Sequence, residues 1–184
     1  MQTERRRVLV VFLFFILHLA LLAAPVRAGM VVQACFSPEK KCADYIIKEI
    51  GQAQKEIFAA VYAFTSDDIA QALIKARKRG VIVQVLVDRE FDRENQSSKA
   101  SLLQQQGIGL RRQSGLSAGK PEKGAGIMHQ KFAVIDRRVV FTGSYNWTVA
   151  AEKLNHENLL YFRDAGPLAE EYRSEFLRLW EKKS

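Results

Sequence analysis

Only two cysteines occur in 184 residues, too few to staple a disulfide-rich miniprotein. Histidine is also scarce, with three in the whole chain. No grouping of Cys, His, Asp and Glu has metal-ligand spacing, so no metal site and no cofactor is expected. Internal repeats and low-complexity segments are absent too. Hydrophobic residues make up 48% and charged residues 26%, which excludes wholesale disorder, collagen-like repeats and a polytopic membrane protein. What remains is enough chain for one domain. Its formal charge is +8, which favours a polyanionic partner, nucleic acid or an anionic lipid surface.

The first residues stand apart from that domain. Arg5, Arg6 and Arg7 precede an uncharged apolar run from Val8 to Ala24, interrupted only by His18. This is the pattern of an export signal, and Val26 and Ala28 are small enough for the −3 and −1 positions of a cleavage site. Residues 1–28 are therefore read as a signal peptide and 29–184 as the mature domain, periplasmic or secreted. The alternative is a retained signal anchor facing out of the cytoplasm, since 17 apolar residues are at the short end of what spans a bilayer. Cleavage after Ala28 leaves 24 basic and 19 acidic side chains, a net of +5.

The mature chain alternates short apolar runs with amphipathic ones. Met30 to Phe36 reads as a strand, and Ser37-Pro38-Glu39 as the N-cap, N1 proline and early acid of a helix carrying Ala43, Ile46, Ile47 and Ile50. Glu56 to Phe64 is a second strand. Ser66 caps a helix with Ile69, Leu73 and Ile74 that stops at Gly80, and Val81 to Val87 reads as a strand buried on both faces. A helix from Ser98 to Gln106 precedes a short strand at Ile108 to Arg111. This order predicts an α/β fold with a mixed, largely parallel sheet covered by helices on both faces.

Ser114 to Gly126 is glycine-rich and polar, a loop of the kind that carries function. Strands Ile127 to Ile135 and Val139 to Thr142 follow, joined by a tight turn at Asp136-Arg137-Arg138. A short helix at Trp147 to Glu152, a strand at Glu157 to Phe162 and a closing helix at Pro167 to Lys182 complete the chain.

The chemistry concentrates in Met128-His129-Gln130-Lys131-Phe132-Ala133-Val134-Ile135-Asp136. In a strand His129 and Lys131 share a face, with Phe132 and Val134 on the other. An ammonium beside an imidazole suits a phosphate: the lysine draws in the anion and keeps the imidazole neutral and nucleophilic. Asp136 falls on the opposite face from His129, in a position to accept backbone donors or a neighbouring positive charge. Ser144 and Asn146 follow the partner strand and can bind phosphate oxygens. Glu157 opens a later strand, where a carboxylate behind an imidazole would fix its tautomer. Trp147 reads as core and His156 as incidental.

These residues resemble the signature of the phospholipase D superfamily. His129-x-Lys131-x4-Asp136, then Gly143-Ser144-x-Asn146 and Glu157, is similar to its motif, and the single copy with an export signal is most similar to the small Nuc-type bacterial endonucleases. Tyr62-Ala63-Phe64-Thr65 and Val85-Leu86-Val87-Asp88 extend the likeness. The resemblance implies a phosphodiesterase that works without metal through a phosphohistidine, in a site made from two copies of the motif. One copy here implies a homodimer. Counting points the same way, because hydrolysis through a covalent histidine needs a nucleophile and a separate acid, and a twofold axis beside His129 supplies a second imidazole.

Arg111, Arg112, Lys120 and Lys123 flank or occupy the glycine-rich loop, a positive rim for following a sugar-phosphate backbone. The expected substrate is therefore DNA or RNA, cut without sequence preference. The alternative is a phospholipase D or cardiolipin-type hydrolase, with a membrane as partner only if the signal is retained or the substrate is lipid. An inactive nucleic-acid-binding module is a third reading, disfavoured because binding alone needs no His-Lys-Glu arrangement. No lipid-docking loop or amphipathic surface helix stands out. Cys35 and Cys42 are close enough for a disulfide in an oxidising compartment. Two buried free thiols are the alternative, and a zinc site would lack ligands.

Overall fold

The computed structural model describes residues 29–117 and 125–182. The expected export signal (1–28), Lys120 and Lys123 lie outside the described residues. Eight strands are β1 (Val31–Ser37), β2 (Glu56–Val61), β3 (Ile82–Asp88), β4 (Gly109–Ser117), β5 (Ala125–Ile127), β6 (Lys131–Ile135), β7 (Val139–Gly143) and β8 (Glu157–Arg163). Helices among the described residues are α1 (Cys42–Gln52), α2 (Asp67–Lys78), α3 (Arg89–Glu94), α4 (Ala100–Gln105), α5 (Val149–Lys153) and α6 (Gly166–Glu181).

The strands form one mixed sheet in the order β1-β8-β7-β6-β2-β3-β4-β5. Only β2-β3 and β3-β4 pair in parallel, so the parallel part is smaller than the alternation of elements suggests. The remaining pairings are antiparallel, because β6, β7 and β8 are joined without crossovers on the same face and β1 pairs back onto β8.

Alternation along β2 shows the two layers. Ile57, Ala59 and Val61 pack with α1 and α2 through Ile46, Ile50, Ile69 and Leu73, while Phe58 and Ala60 pack with α6 through Phe176 and Ala169. Phe58 and Phe176 are stacked with centroids 4.8 Å apart. A strand buried on both faces has to be apolar throughout, which is why β2 and β3 show so clearly in the sequence. α2 is capped as its sequence predicts, the Ser66 hydroxyl accepting from Ile69 N.

Three local expectations are corrected and one helix is added. Ser37-Pro38-Glu39 does not start α1, which begins at Cys42, because the buried Ser37 hydroxyl donates to Ala151 O at 2.6 Å instead of capping a helix. The glycine-rich stretch is partly β-structure, since Ser114 pairs with Ile127 and Ser117 with Ala125 in the hairpin β4-β5. The expected strand Ile127 to Ile135 is broken at 128–130, where Met128 N donates to Asp88 Oδ2 and Gln130 O accepts from Tyr62 N. α3, absent from the sequence reading, is nucleated by Asp88, whose side chain accepts from Phe91 N. Cys35 and Cys42 are bonded, with their Cα atoms 5.7 Å apart.

Candidate functional site

The pairing register brings the chemistry to one end of the sheet. Val61 lies opposite Lys131, Phe132 opposite Thr142, and Gly143 opposite Leu159, so the ends of β2, β6, β7 and β8 line up in a row. The parallel strands β2 and β3 finish at the same end, where crevices form in open α/β sheets.

His129 stands exposed just before β6, its ring edge-on to Tyr62 with centroids 4.8 Å apart. The backbone carrying it is held on both sides. Asp88, 1% exposed, accepts Met128 N at 2.8 Å with one carboxylate oxygen and Phe91 N at 3.0 Å with the other. Gln130 O accepts Tyr62 N at 2.8 Å. The imidazole is thus displayed on a fixed scaffold.

Lys131 shares the α1/α2 face with Ala133 and Ile135. Its Nζ donates to His129 O at 2.9 Å and lies 5.1 Å from the Tyr62 ring centroid. Burial pushes this ammonium below its ordinary pKa of 10.5, and the nearby Glu157 carboxylate opposes that shift.

Ser144 and Glu157 are joined directly, Ser144 Oγ donating to Glu157 Oε2 at 2.5 Å. The same hydroxyl accepts from Asn158 N at 3.0 Å, and Asn155 Nδ2 donates to the other Glu157 oxygen at 3.3 Å. Gly143 makes this geometry possible: its φ is +140°, and a Cβ there would sit 2.3 Å from Asn158 O. Asn158 O receives both Ser144 N and Tyr145 N. Asn146 turns its Oδ1 to Ala63 N at 3.3 Å, which leaves its amide nitrogen as the donor for an anion. Trp147 is core, edge-on to Phe64.

Asp136 sits at the other end of β6. Its carboxylate accepts Gln54 N, Lys55 N and Glu56 N at 2.8–3.0 Å, tying the β6-β7 turn to the start of β2. It holds the scaffold and does not reach the site, although the motif includes it. His156 is exposed before β8, and among the described residues no hydrogen bond joins Glu157 to it or to His129. Arg111 and Arg112 do not form a common rim, because consecutive strand residues leave opposite faces. Arg112 Nε pairs with Asp92 at 2.5 Å, and Arg111 lies over Trp180, donating to its carbonyl. Among the described residues no group of His, Cys, Asp and Glu is placed to hold a metal.

Asp88 is the site residue whose work the sequence reading missed. The sequence shows an aspartate ending a strand, but its second hydrogen bond comes from a residue 40 positions away.

A family model described as "Cardiolipin synthase, PLD-like domain" matches residues 46–180. A protein named phospholipase D from Rickettsia felis is 37% identical over 146 residues, 79% of this chain and 68% of the relative. A mitochondrial cardiolipin hydrolase from Xenopus laevis is 33% identical over 180 residues, 97% of this chain and 80% of that one. The crystal structure of a phospholipase D family member, Nuc from Salmonella typhimurium, superposes with TM-score 0.71 at 32% identity, covering 83% of this chain and 95% of that one.

Proposed function

The chain belongs to the phospholipase D superfamily, as a phosphodiesterase, and from that premise we propose that it hydrolyses nucleic acid through a phosphohistidine in a site shared by two copies. The observation that carries this reading is the exposed His129 imidazole held beside Lys131 at the end of the sheet. An imidazole nitrogen of His129 attacks phosphorus, the P–O bond to the leaving group breaks, and the leaving alkoxide takes a proton from the second copy's imidazole. Water then attacks phosphorus, forming a new P–O bond as the P–N bond breaks and giving a proton back to that second imidazole, which releases the phosphate monoester and free His129. Lys131, the Asn146 amide and backbone donors stabilise the charge that builds on the phosphoryl oxygens, so no divalent cation is required.

Nucleic acid is favoured by the basic excess and by the likeness to Nuc over nearly its full length. The arginines contribute less than their positions suggest, since Arg112 is neutralised by Asp92. A phospholipid substrate is the second reading, supported by the names of the Rickettsia and Xenopus relatives. An idle binding module leaves the Lys131, Ser144 and Glu157 arrangement without a purpose.

The discriminating experiment offers DNA, RNA and cardiolipin in parallel to one preparation in excess EDTA. Cleavage of DNA or RNA faster than cardiolipin is expected. Cardiolipin turnover alone would install the second reading, and an absolute requirement for magnesium or zinc would remove the proposed chemistry. His129→Ala should abolish turnover and covalent trapping of labelled phosphate, and activity within tenfold of wild type would refute the nucleophile.

A further inference from the structure

Two aromatic rings at the site end of the sheet belong to neither core layer among the described residues. Tyr62 follows the last residue of β2, Phe91 lies in the first turn of α3, and both are half-buried. Their ring centroids are 5.4 Å apart. Tyr62 also meets the two residues on which the chemistry depends: the His129 ring at 4.8 Å between centroids, and the Lys131 Nζ over its face, 5.1 Å from the centroid. Tyr145 and Tyr161, by contrast, sit in a core layer and give their hydroxyls to Glu152 and Glu49. Among the described residues the Tyr62 hydroxyl has no hydrogen-bond partner, so the ring is the part of this side chain in use.

Among the described residues no other group fixes the spacing between the two functional side chains. The Lys131 ammonium donates to the His129 carbonyl, which ties it to the backbone and not to the imidazole. The Glu157 carboxylate is bonded to Ser144 and Asn155, and no hydrogen bond reaches the His129 ring. Tyr62 touches both. An aromatic face attracts a cation within about 6 Å of its centroid, and more strongly when the cation is partly desolvated, as Lys131 is. Contact with the same ring restricts the rotation of the imidazole. Tyr62 is itself held, because its N–H donates to Gln130 O, between His129 and Lys131, and Phe91 packs against its ring from α3. Asp88 closes the circuit, binding Phe91 N with one oxygen and Met128 N with the other.

We infer that Tyr62 is a positioning residue of this site: its ring sets the distance between the His129 nucleophile and the Lys131 ammonium, and Phe91 buttresses it. The catalytic consequence rests on the phosphohistidine reading above, whereas the contact rests on geometry alone. A nucleophile and an anion-binding cation held against one ring keep their spacing when a phosphodiester enters, as attack on phosphorus requires. The charged and titratable groups facing Lys131 are Glu157 from β8, His129 from the segment before β6 and Tyr62 from β2. Without the ring face the ammonium keeps the support of Glu157 and loses that of Tyr62, so it should release its proton at lower pH.

The test uses the full chain labelled with carbon-13 in histidine and lysine. In Tyr62→Leu the His129 ring signal, assigned by its loss in His129→Ala, should move, and the titration of Lys131, assigned through Lys131→Met, should shift to lower pH. Tyr62→Phe keeps the ring and should restore both. Tyr62→Met fills the space without a ring face and should behave as Tyr62→Leu, which covers the case of a leucine variant that folds poorly. Signals that stay in place in both ringless variants overturn the inference. So does a Tyr62→Phe variant as altered as Tyr62→Leu, since the hydroxyl would then be the working group. Turnover is read on bis(p-nitrophenyl) phosphate, a phosphodiester with neither base nor lipid. It should fall on the order of 10 to 100-fold in the ringless variants, with most of the rate recovered in Tyr62→Phe. Undiminished turnover in Tyr62→Leu overturns the positioning role. The substrate reading is judged separately: whichever of DNA, RNA or cardiolipin is cleaved in the EDTA assay above, the two resonances report on Tyr62 alone.

Discussion

The Ser144 hydroxyl donates to Glu157 while accepting from the Asn158 backbone N–H, so its one proton is committed to the carboxylate. Ser144 is therefore a donor to Glu157 before it is a donor to phosphate. Glu157→Gln removes the negative charge that supports the Lys131 ammonium. Turnover should fall on the order of 100-fold. The alkaline limb of the pH–rate profile should move to lower pH, because a lysine deprived of its carboxylate loses its proton earlier. An unmoved limb would separate the two residues.

Lys131 should trade stability for activity. Its pKa is lowered on folding, so the unfolded chain binds more protons and the penalty is fully present below the lowered folded value. The penalty fades as pH rises from there toward the ordinary value of 10.5. Lys131→Met should thus raise the urea midpoint at pH 7, and this gain over wild type should shrink in alkaline buffer. Turnover should drop by roughly 30 to 1000-fold, the loss of one charge-assisted phosphate contact. A lower midpoint for the variant at pH 7 would contradict the sign.

Asp88→Asn tests whether the scaffold under His129 matters. One carboxylate oxygen can still be replaced at Phe91 N, but the amide nitrogen then faces Met128 N, leaving a buried donor without an acceptor. The cost should be about 1–3 kcal/mol by denaturant unfolding. Turnover should fall with the shape of the pH–rate profile retained, because Asp88 is a positioning residue that acts through the backbone of His129.

Gly143→Ala places a methyl 2.3 Å from Asn158 O at a φ of +140°. The strain should cost at least about 1–3 kcal/mol and displace Ser144 from Glu157. Activity and urea midpoint should both fall, whereas Gly51→Ala, in helix α1 where a Cβ meets nothing within 4 Å, should leave activity unchanged and if anything raise the midpoint.

The shared site is tested by mixing wild-type subunits with His129→Asn subunits. If one imidazole attacks and the other protonates the leaving group, only wild-type pairs turn over. Random exchange at equal amounts makes about a quarter of the dimers wild type, so activity should fall to about a quarter. Independent sites would leave half, and His156 would then need to be reconsidered as the acid.

Much of this was legible in the chain, for identifiable reasons. β2 and β3 are continuous apolar runs because both faces are covered, and α2 announces itself through Ser66 and its periodic Ile69, Leu73 and Ile74. His129 and Lys131 stand out as polar groups entering an apolar strand. Side-chain partners from distant segments were not legible. Ser37 looks like a helix cap until Ala151 O, 114 residues away, takes its hydroxyl. Arg112 counts as a free positive charge until Asp92 neutralises it. The place of β1 was not legible either, because an apolar strand reads as core, and only the sheet order puts it outermost among the described strands.

The first strand pairs with the last one, Val31 opposite Arg163 and Ser37 opposite Glu157. A chain made from its N-terminus therefore carries β1 unpaired until more than a hundred further residues have emerged. Closing so long a loop is slow and leaves apolar backbone exposed meanwhile. Glu157 opens the strand that completes this closure, so the carboxylate beside Lys131 arrives only with the final pairing. A truncated chain lacking β8 should therefore keep His129 and Lys131 but lack Glu157, and its expected inactivity in a phosphodiesterase assay would tie the site's completion to that last pairing.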